Sequence, residues 1–560
     1  MGKFSLPHYY VNLVLGLLGA CASKYGPVCN SSIYCTGELL HTVQLAKIFP
    51  DSKTFVDLKL LNREEEIFSC FIRLMAYADN NPTRDQIMAF LDQHFEDKEE
   101  LNYWHPPDFQ SHPPVLNKIK NLNVLLFAKD VISMWPALGR KVSTDIAWNS
   151  ENYSFLYVPK GFIVPGGRFK ELYYWDSYWI VRGLIISNMM KTAKGMIENF
   201  LHLVKRFGYV PNGSRIYYLG RSQPPLLTWM VYDYFAATGD KKWLKSIIPV
   251  VESELTYWLE HKTFLLKVKG IEYKLLRYSP DSKVKGPRPE SYYEDYMNAK
   301  KVPESMHEVF YTHIKSAAES GWDFSSRWVT HSETDIQFNP TDISTSRILP
   351  VDLNSIFAGS LKKIGDMKSK LNLNGKKWWR LAKQWRYAID KFLWDPEDGV
   401  WYDFDSQTMS KRKKFYLSCA APLWAGAVEV YNVKDHGKRF ITYLQSTGAL
   451  QYRGGVPASL WKTGEQWDFP NAWPPLQSML IGALENSNCS QGKQLARKLA
   501  KVWFSANYIG FKRSQKMFEK YSCLNAGEQG QGGEYEVQNG FGWTNGVILE
   551  LIQNYGDLLL

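Results

Sequence analysis

From about residue 177 onward, apolar residues recur at helical spacing in one segment after another. The stretches 226–237, 242–259, 353–371, 377–393, 417–431, 476–484 and 494–508 each build an apolar face at three- and four-residue intervals, which predicts helices. Strand-like alternation is rare and short, and 155–164 is its best case. Several predicted helices start alike. Pro224-Pro225, Pro350 and Pro474-Pro475 fall at or just before a first turn. Proline is tolerated there because the first amides lack partners within the helix. Polar and aromatic residues precede those starts, so the chain reads as a ring of helices whose amino-terminal loops gather at one end. A barrel of inner and outer helical layers has that form, although the period itself establishes only a mostly helical chain. Residues 23–150 hold helical stretches and an Asn-Pro-Thr turn at Asn81, with no break strong enough to mark a separate domain. They are expected to wrap or cap the main body, with 23–560 forming one domain.

One loop stands out. Pro165 to Trp179 packs Arg168, Glu171, Asp176 and six aromatic rings into fifteen residues. Pro165-Gly166-Gly167 signals a turn, and the far end runs into the apolar segment 180–190. Rings that stack on pyranose faces, beside charged groups that bond hydroxyls, are what a sugar site requires. Core filling is the alternative role for the same rings. Aromatics reach 15% of the chain, with 21 Trp in 560 residues, which fits a ring-lined cleft as well as thick helical layers. An apolar fraction of 45% supplies a large core and argues against disorder.

The amino terminus reads as an export signal. Lys3 precedes an apolar stretch over 11–20, and Ala20-Cys21-Ala22 resembles a small-x-small cleavage site, so residues 1–22 are expected to be removed. Ten apolar residues cannot cross a bilayer, and no later stretch is long enough to do so. The protein is therefore expected to be secreted, with no stable membrane anchor. Losing Lys3, the one charged side chain in 1–22, takes the formal charge from +11 to +10. The densest basic run, Lys411 to Lys414, has no nucleic-acid module beside it and reads as a solvated loop, so no nucleic-acid partner is expected. Removal of Cys21 leaves Cys29, Cys35, Cys70, Cys419, Cys489 and Cys523. Cys29 and Cys35 flank a short polar turn and could close a small loop, while the other four lack CxxC spacing. The 11 His are dispersed and no phosphate-binding loop is present, so neither metal nor cofactor is expected. Sequons stand at Asn30, Asn152, Asn212 and Asn488, and Asn212 is expected to be engaged elsewhere.

Five further segments share the character of the first loop. Asn212-Gly213 precedes Arg221-Ser222-Gln223. Arg288-Pro289-Glu290 lies in a Tyr-rich loop. Asp323 stands between Trp322 and Phe324, two residues after Gly321, and Trp467-Asp468 repeats the pairing after Glu465. Glu519-Lys520-Tyr521 leads to Gly532-Gly533-Glu534-Tyr535. Each is weak alone, since a Trp-Asp pair also suits an N-cap beside a core ring. Their recurrence, ring beside carboxylate in loop after loop, favours a sugar cleft.

The runs from Pro165 to Tyr178 and from Gln466 to Pro475 resemble the two signatures of the trehalase family, and the likeness extends over nearly the whole chain beyond Cys29. The leader and short upstream segment are most similar to those of secreted animal trehalases. The resemblance implies an (α/α)6 barrel and inverting hydrolysis of α,α-trehalose, with Asp323 as general acid and Glu519 as general base. Trp322 and Phe324 are expected to dehydrate Asp323 and raise its pKa, and Lys520 to help keep Glu519 charged. The resemblance also carries substrate binding onto Arg168, Trp175, Asp176, Asn212, Arg221, Ser222, Gln223, Arg288, Pro289, Glu290, Gly321 and Glu534. Glu465, Trp467 and Asp468 are expected to support the site. The stretch 527–533 resembles a lid over the sugar. Ser522 stands where the family usually has Asp, and Gln531 where a glycine is expected. Two other readings stay open: a helical-barrel glycosidase for another glucoside, and a catalytically inactive sugar-binding protein.

Overall fold

The computed structural model describes residues 28–330 and 340–560. The expected export signal, 1–22, lies outside the described residues. The predicted helices form with small shifts at their ends, as Leu227–Thr238, Lys241–His261, Val351–Lys370, Lys376–Phe392, Pro474–Asn486 and Ser490–Ser514. The first loop delivers the chain into a helix over Asp176–Ile186, and a second one follows at Met190–Phe207. The prolines take the expected places: Pro350 is an N-cap, and Pro474 and Pro475 open their helix.

Two expectations need correction. The single helix expected over 417–431 is a 3-10 turn at Leu417–Ala420 and one short helix at Ala421–Trp424. Gly426 takes the left-handed conformation directly afterwards, with φ of 64°, which ends the helix. The strand expected over 155–164 shrinks to Phe162–Ile163 and a lone bridge from Phe155 to Arg215. The longest strands instead form a hairpin, Thr263–Val268 against Ile271–Leu276, joined through Lys269-Gly270 with both residues at positive φ.

Helix contacts run in a closed circuit. Asp176–Ile186 packs on Leu227–Thr238, that helix on Val351–Lys370, then follow Ala421–Trp424, Pro474–Asn486 and Gly542–Tyr555, which returns to Asp176–Ile186. Further helices, among them Met190–Phe207, Lys241–His261, Lys376–Phe392 and Ser490–Ser514, pack against members of that circuit. The fold is a helical barrel-like one. Glycine makes the closing contact possible. A Cβ at Gly546 would lie 2.0 Å from the Trp179 carbonyl, and one at Gly183 would lie 2.8 Å from the Gly546 Cα. No larger residue fits at that crossing without driving the helices apart.

The amino-terminal segment divides between two cores. Phe127, Val131 and Trp135 belong to the main core. Residues from Ile33 to Phe95 build a satellite cluster that packs on Tyr173, Tyr217 and Tyr218. A Cys29–Cys35 disulfide closes the small loop at its start, and a Thr83–Gln86 capping box starts the helix Arg84–His94 after the Asn81 turn.

Candidate active site

The amino-terminal ends of four of the six circuit helices border one cleft. Trp175 and Asp176 stand at the start of Asp176–Ile186, Gln223 just before Leu227–Thr238, Trp473 before Pro474–Asn486, and Phe541 and Trp543 at the start of Gly542–Tyr555. The cleft holds about 780 Å³ of space not filled by protein, its open mouth included.

Arg168, Trp175, Asp176, Asn212, Arg221, Gln223, Arg288, Glu290, Gly321, Asp323, Glu519 and Glu534 all line this cleft. Ser222 and Pro289 do not. The Ser222 hydroxyl donates to the Val210 carbonyl at 2.6 Å, and its amide donates to Glu319 at 2.8 Å. Pro289 opens a 3-10 turn, and its carbonyl accepts from Gln44 at 3.2 Å. Both brace the neighbours that do reach the cleft.

Most charged groups here are locked by partners. Arg221 pairs with Glu290 and donates to Asn212 Oδ1 at 3.1 Å. Arg288 forks onto Asp295 at 2.7 and 2.9 Å and reaches Glu534 at 3.2 Å. Arg168 pairs with Asp51 at 2.8 Å. Such pre-paired guanidiniums present fixed donors. Asn212 is buried in this network, so the sequon there is engaged as expected.

Among the described residues, no counterion is in direct contact with Asp176, Asp323 or Glu519. Burial pushes Asp323 up to about 7, against the pull of Arg288. Asp323 keeps partial exposure, and that exposure opens onto the cleft, so the rise is largest when the cleft is dry. Neither Trp322 nor Phe324 lines the cleft. Trp322 stacks on Trp467, which stacks in turn on Trp473 at 3.8 Å, and Phe324 lies under the Arg288 guanidinium. The rings lining the cleft around Asp323 come from Trp175, Trp467, Trp473 and Trp543. Asp176 is pushed to about 8 by burial, with Glu519 and Asp323 adding repulsion.

Glu519 is buried, and its carboxyl is raised by that burial. Lys520, the Gln538 amide and the Tyr535 hydroxyl oppose the rise. Tyr535 donates to Oε1 at 2.8 Å and the Gln538 amide to Oε2 at 3.2 Å. Lys520 helps only at a distance, because its ammonium donates to the Gly532 carbonyl at 2.9 Å and to Gln466 at 3.3 Å.

The second signature run holds the Asp323 segment in place. Asp468 accepts from the Ser325, Ser326 and Ser459 hydroxyls, the Thr463 hydroxyl and the Ser326 amide, all within 2.9 Å. The Trp467 amide donates to the Phe324 carbonyl at 3.1 Å, and the Gln466 side chain donates to the Asp323 carbonyl. Glu171 in the first loop has a similar task, joining Lys53 at 2.5 Å and Arg215 at 3.0 Å away from the chemistry.

Lys53, Phe169, Tyr173, Tyr218, Trp473 and Tyr535 are among the lining residues that reading the sequence did not assign. Tyr535 stood beside Glu534 and carried a usable signal. Lys53 had none, because only the fold brings residue 53 to the first loop. The expected lid 527–533 is tethered here: Gln531 exchanges two hydrogen bonds with Asn471, each of 2.8 Å, and the Gly530 amide donates to the Lys520 carbonyl. Among the described residues no cluster of His, Cys, Asp and Glu could hold a metal ion, and no helix is long and apolar enough to cross a membrane.

Stacked rings, fixed guanidiniums and uncompensated carboxylates around one cleft of a helical barrel-like fold define a glycoside hydrolase. Comparison with known proteins narrows the class. Residues 47–556 match the family model described as Trehalase. A trehalase of Bombyx mori is 46% identical over 550 residues, covering 98% of this chain and 95% of that protein. A trehalase of Homo sapiens is 41% identical over 553 residues, covering 98% and 93%. The solved structure of the neutral trehalase of Saccharomyces cerevisiae superposes with a TM-score of 0.58 at 23% identity, covering 70% of this chain and 73% of that one. The chain belongs to the trehalase family.

Proposed function

We propose that this protein hydrolyses α,α-trehalose to two glucose molecules with inversion at one anomeric carbon. Asp323 is the general acid and Glu519 the general base, acting on an (α/α)6 barrel. Residues 23–560 form one catalytic domain with 23–150 along its side, secreted after loss of 1–22. The trehalases that match nearly the whole chain support the reaction, and the closed circuit of helix contacts supports the barrel.

The observation that carries the residue roles is the unequal treatment of two carboxyls in one cleft. Among the described residues no side chain donates to the Asp323 carboxyl, which is lifted to about 7, so it holds a proton near neutral pH. Glu519 accepts two hydrogen bonds that favour its charged form. Trehalose joins two glucoses through both anomeric carbons. Cleavage needs a proton on the bridging oxygen and a water on the opposite face of one sugar, and an inverting site separates the two carboxyls by roughly 6.5–9.5 Å to admit that water. Asp323 gives its proton to the bridging oxygen as the bond breaks. Glu519 takes a proton from the attacking water. One glucose leaves with its α configuration and the other is formed as β. Arg168, Trp175, Asp176, Asn212, Arg221, Gln223, Arg288, Glu290, Gly321 and Glu534 grip the sugars, while Ser222 and Pro289 act one step behind them.

Proton NMR of the products at early times tests this reading. Equal α- and β-glucose is expected. Two α-glucose molecules would contradict inversion, and no glucose would leave a sugar-binding protein. Asp323→Ala and Glu519→Ala are each expected to lower turnover at least a hundredfold, and near wild-type activity in either removes that assignment.

A further inference from the structure

We infer that Tyr535 is the positioning residue of the base: its hydroxyl holds the Glu519 carboxylate ionised and in one orientation. The inference rests on Glu519 being the base.

Glu519 is clamped by a single loop. The Gln538 carbonyl accepts from the Glu519 amide at 3.0 Å, the Gln538 amide returns a bond to Oε2, and the Tyr535 hydroxyl donates to Oε1. Among the described residues Tyr535 is the only side chain that hydrogen-bonds the Glu519 carboxylate. The charged groups around it act otherwise. Lys520, its chain neighbour, spends its ammonium on Gly532 and Gln466. Arg168, from the first loop, is turned to Asp51. Asp176, at the start of its helix, repels. Burial beside Glu519 keeps the Tyr535 phenol well above its usual range, so it stays protonated and can only donate to a carboxylate.

The ring cannot drift. Phe169 meets it edge-on at 5.3 Å, and the Arg168 guanidinium lies 4.8 Å from its centroid. Arg168 is fixed at both ends. Its amide donates to the Gln538 side chain at 2.8 Å, and its guanidinium binds Asp51, whose carboxylate also caps the helix Ser52–Val56 through the Lys53 amide at 3.0 Å. The orientation of the base is thus set by a line of contacts from residue 51 through 168 and 535 to 519.

Tyr535→Phe removes the hydroxyl and keeps the ring. A hydrogen bond to a carboxylate lowers its pKa, so losing it raises the pKa of Glu519. The acid limb of kcat/KM requires Glu519 ionised and is expected to move up by about one to two pH units. The basic limb, set by Asp323, stays in place, while the limiting rate above the acid limb falls because the carboxylate has lost one of the two bonds that orient it. A merely structural role would lower activity evenly at all pH values. An acid limb that does not move overturns the inference, and thermal melting of the same variant verifies that it is folded. The two failures separate cleanly: an active Glu519→Ala enzyme removes the base assignment itself, whereas an inactive Glu519→Ala with an unmoved Tyr535→Phe limb removes only the role of Tyr535.

Discussion

Gly321→Ala adds one methyl group and probes two constraints at once. Gly321 ends the helix His307–Ser320 in the left-handed conformation, with φ of 75°. A side chain there costs about 1–2 kcal/mol through the contact of Cβ with the following carbonyl. The new Cβ would also lie 2.7 Å from Trp175 Cε2 and 2.8 Å from Cζ2. Carbon atoms prefer to sit roughly 3.5–4.0 Å apart, so the indole must retreat by about 1 Å. It has little room, because Trp179, Trp467 and Trp543 pack around it and its amide is tied to Gln223 at 3.0 Å. Overpacking of this kind costs about 1–3 kcal/mol, for a total near 2–5 kcal/mol. A 1 Å displacement of a sugar-facing ring is expected to lower kcat/KM by about a hundredfold. Urea unfolding and initial rates of glucose release measure the two parts. A variant with wild-type midpoint and wild-type kcat/KM would refute both the tightness of this contact and the placing of Trp175 against substrate.

Three further outcomes follow from the site. The basic limb of kcat/KM is expected near pH 7: Asp323 works protonated, so activity is lost as pH rises through its value of about 7, and a limb above pH 9 would exclude it as the acid. Asp468→Ala strips the partners from a buried backbone amide and four hydroxyls. It is expected to destabilise the fold by about 3–5 kcal/mol in urea titrations and to lower kcat more than it raises KM, whereas Asp468→Asn, which keeps one acceptor oxygen, loses less. Glu171 is held down to about 2, with Lys53 and Arg215 outweighing its burial. Its depressed pKa contributes stability that is present above its unfolded value and is lost as pH falls from about 4.5 toward 2. Glu171→Gln should therefore flatten that part of the stability curve, which acid titration by circular dichroism reports.

Local pattern carried much of this architecture. Helices such as Lys241–His261 and Ser490–Ser514 follow from their apolar spacing, because a helix that buries one face must display it in sequence. The segment 417–431 has the same spacing, yet its left-handed Gly426 interrupts it. In the site, short-range motifs were legible: Asp323, Glu519 and the first-loop residues fall in runs whose chemistry is visible within a few positions. Pairings across the chain were not. Nothing near Arg168 announces Asp51, nothing near Asp323 announces the Asp468 hub, and the rings of Trp175, Trp467, Trp473 and Trp543 reach the same cleft from segments far apart in sequence. Ser222 and Pro289 sit inside cleft motifs and face away, since backbone direction alternates within a motif in ways that spacing does not reveal.

The crossing of Gly183 and Gly546 has a consequence for the order in which the protein becomes active. The ribosome makes the helix Asp176–Ile186 long before Gly542–Tyr555, so the circuit stays open through most of synthesis and its two edges must wait for each other. Glu519, Tyr535 and Trp543 arrive with that last piece, whereas Arg168, Asn212 and Asp323 are in place earlier. A nascent chain halted before residue 519 carries the proposed acid and most of the proposed sugar-binding groups but lacks the proposed base. On the proposed roles, both carboxyls exist only once the chain has passed residue 519, shortly before the helix Gly542–Tyr555 that closes the circuit of contacts onto Asp176–Ile186.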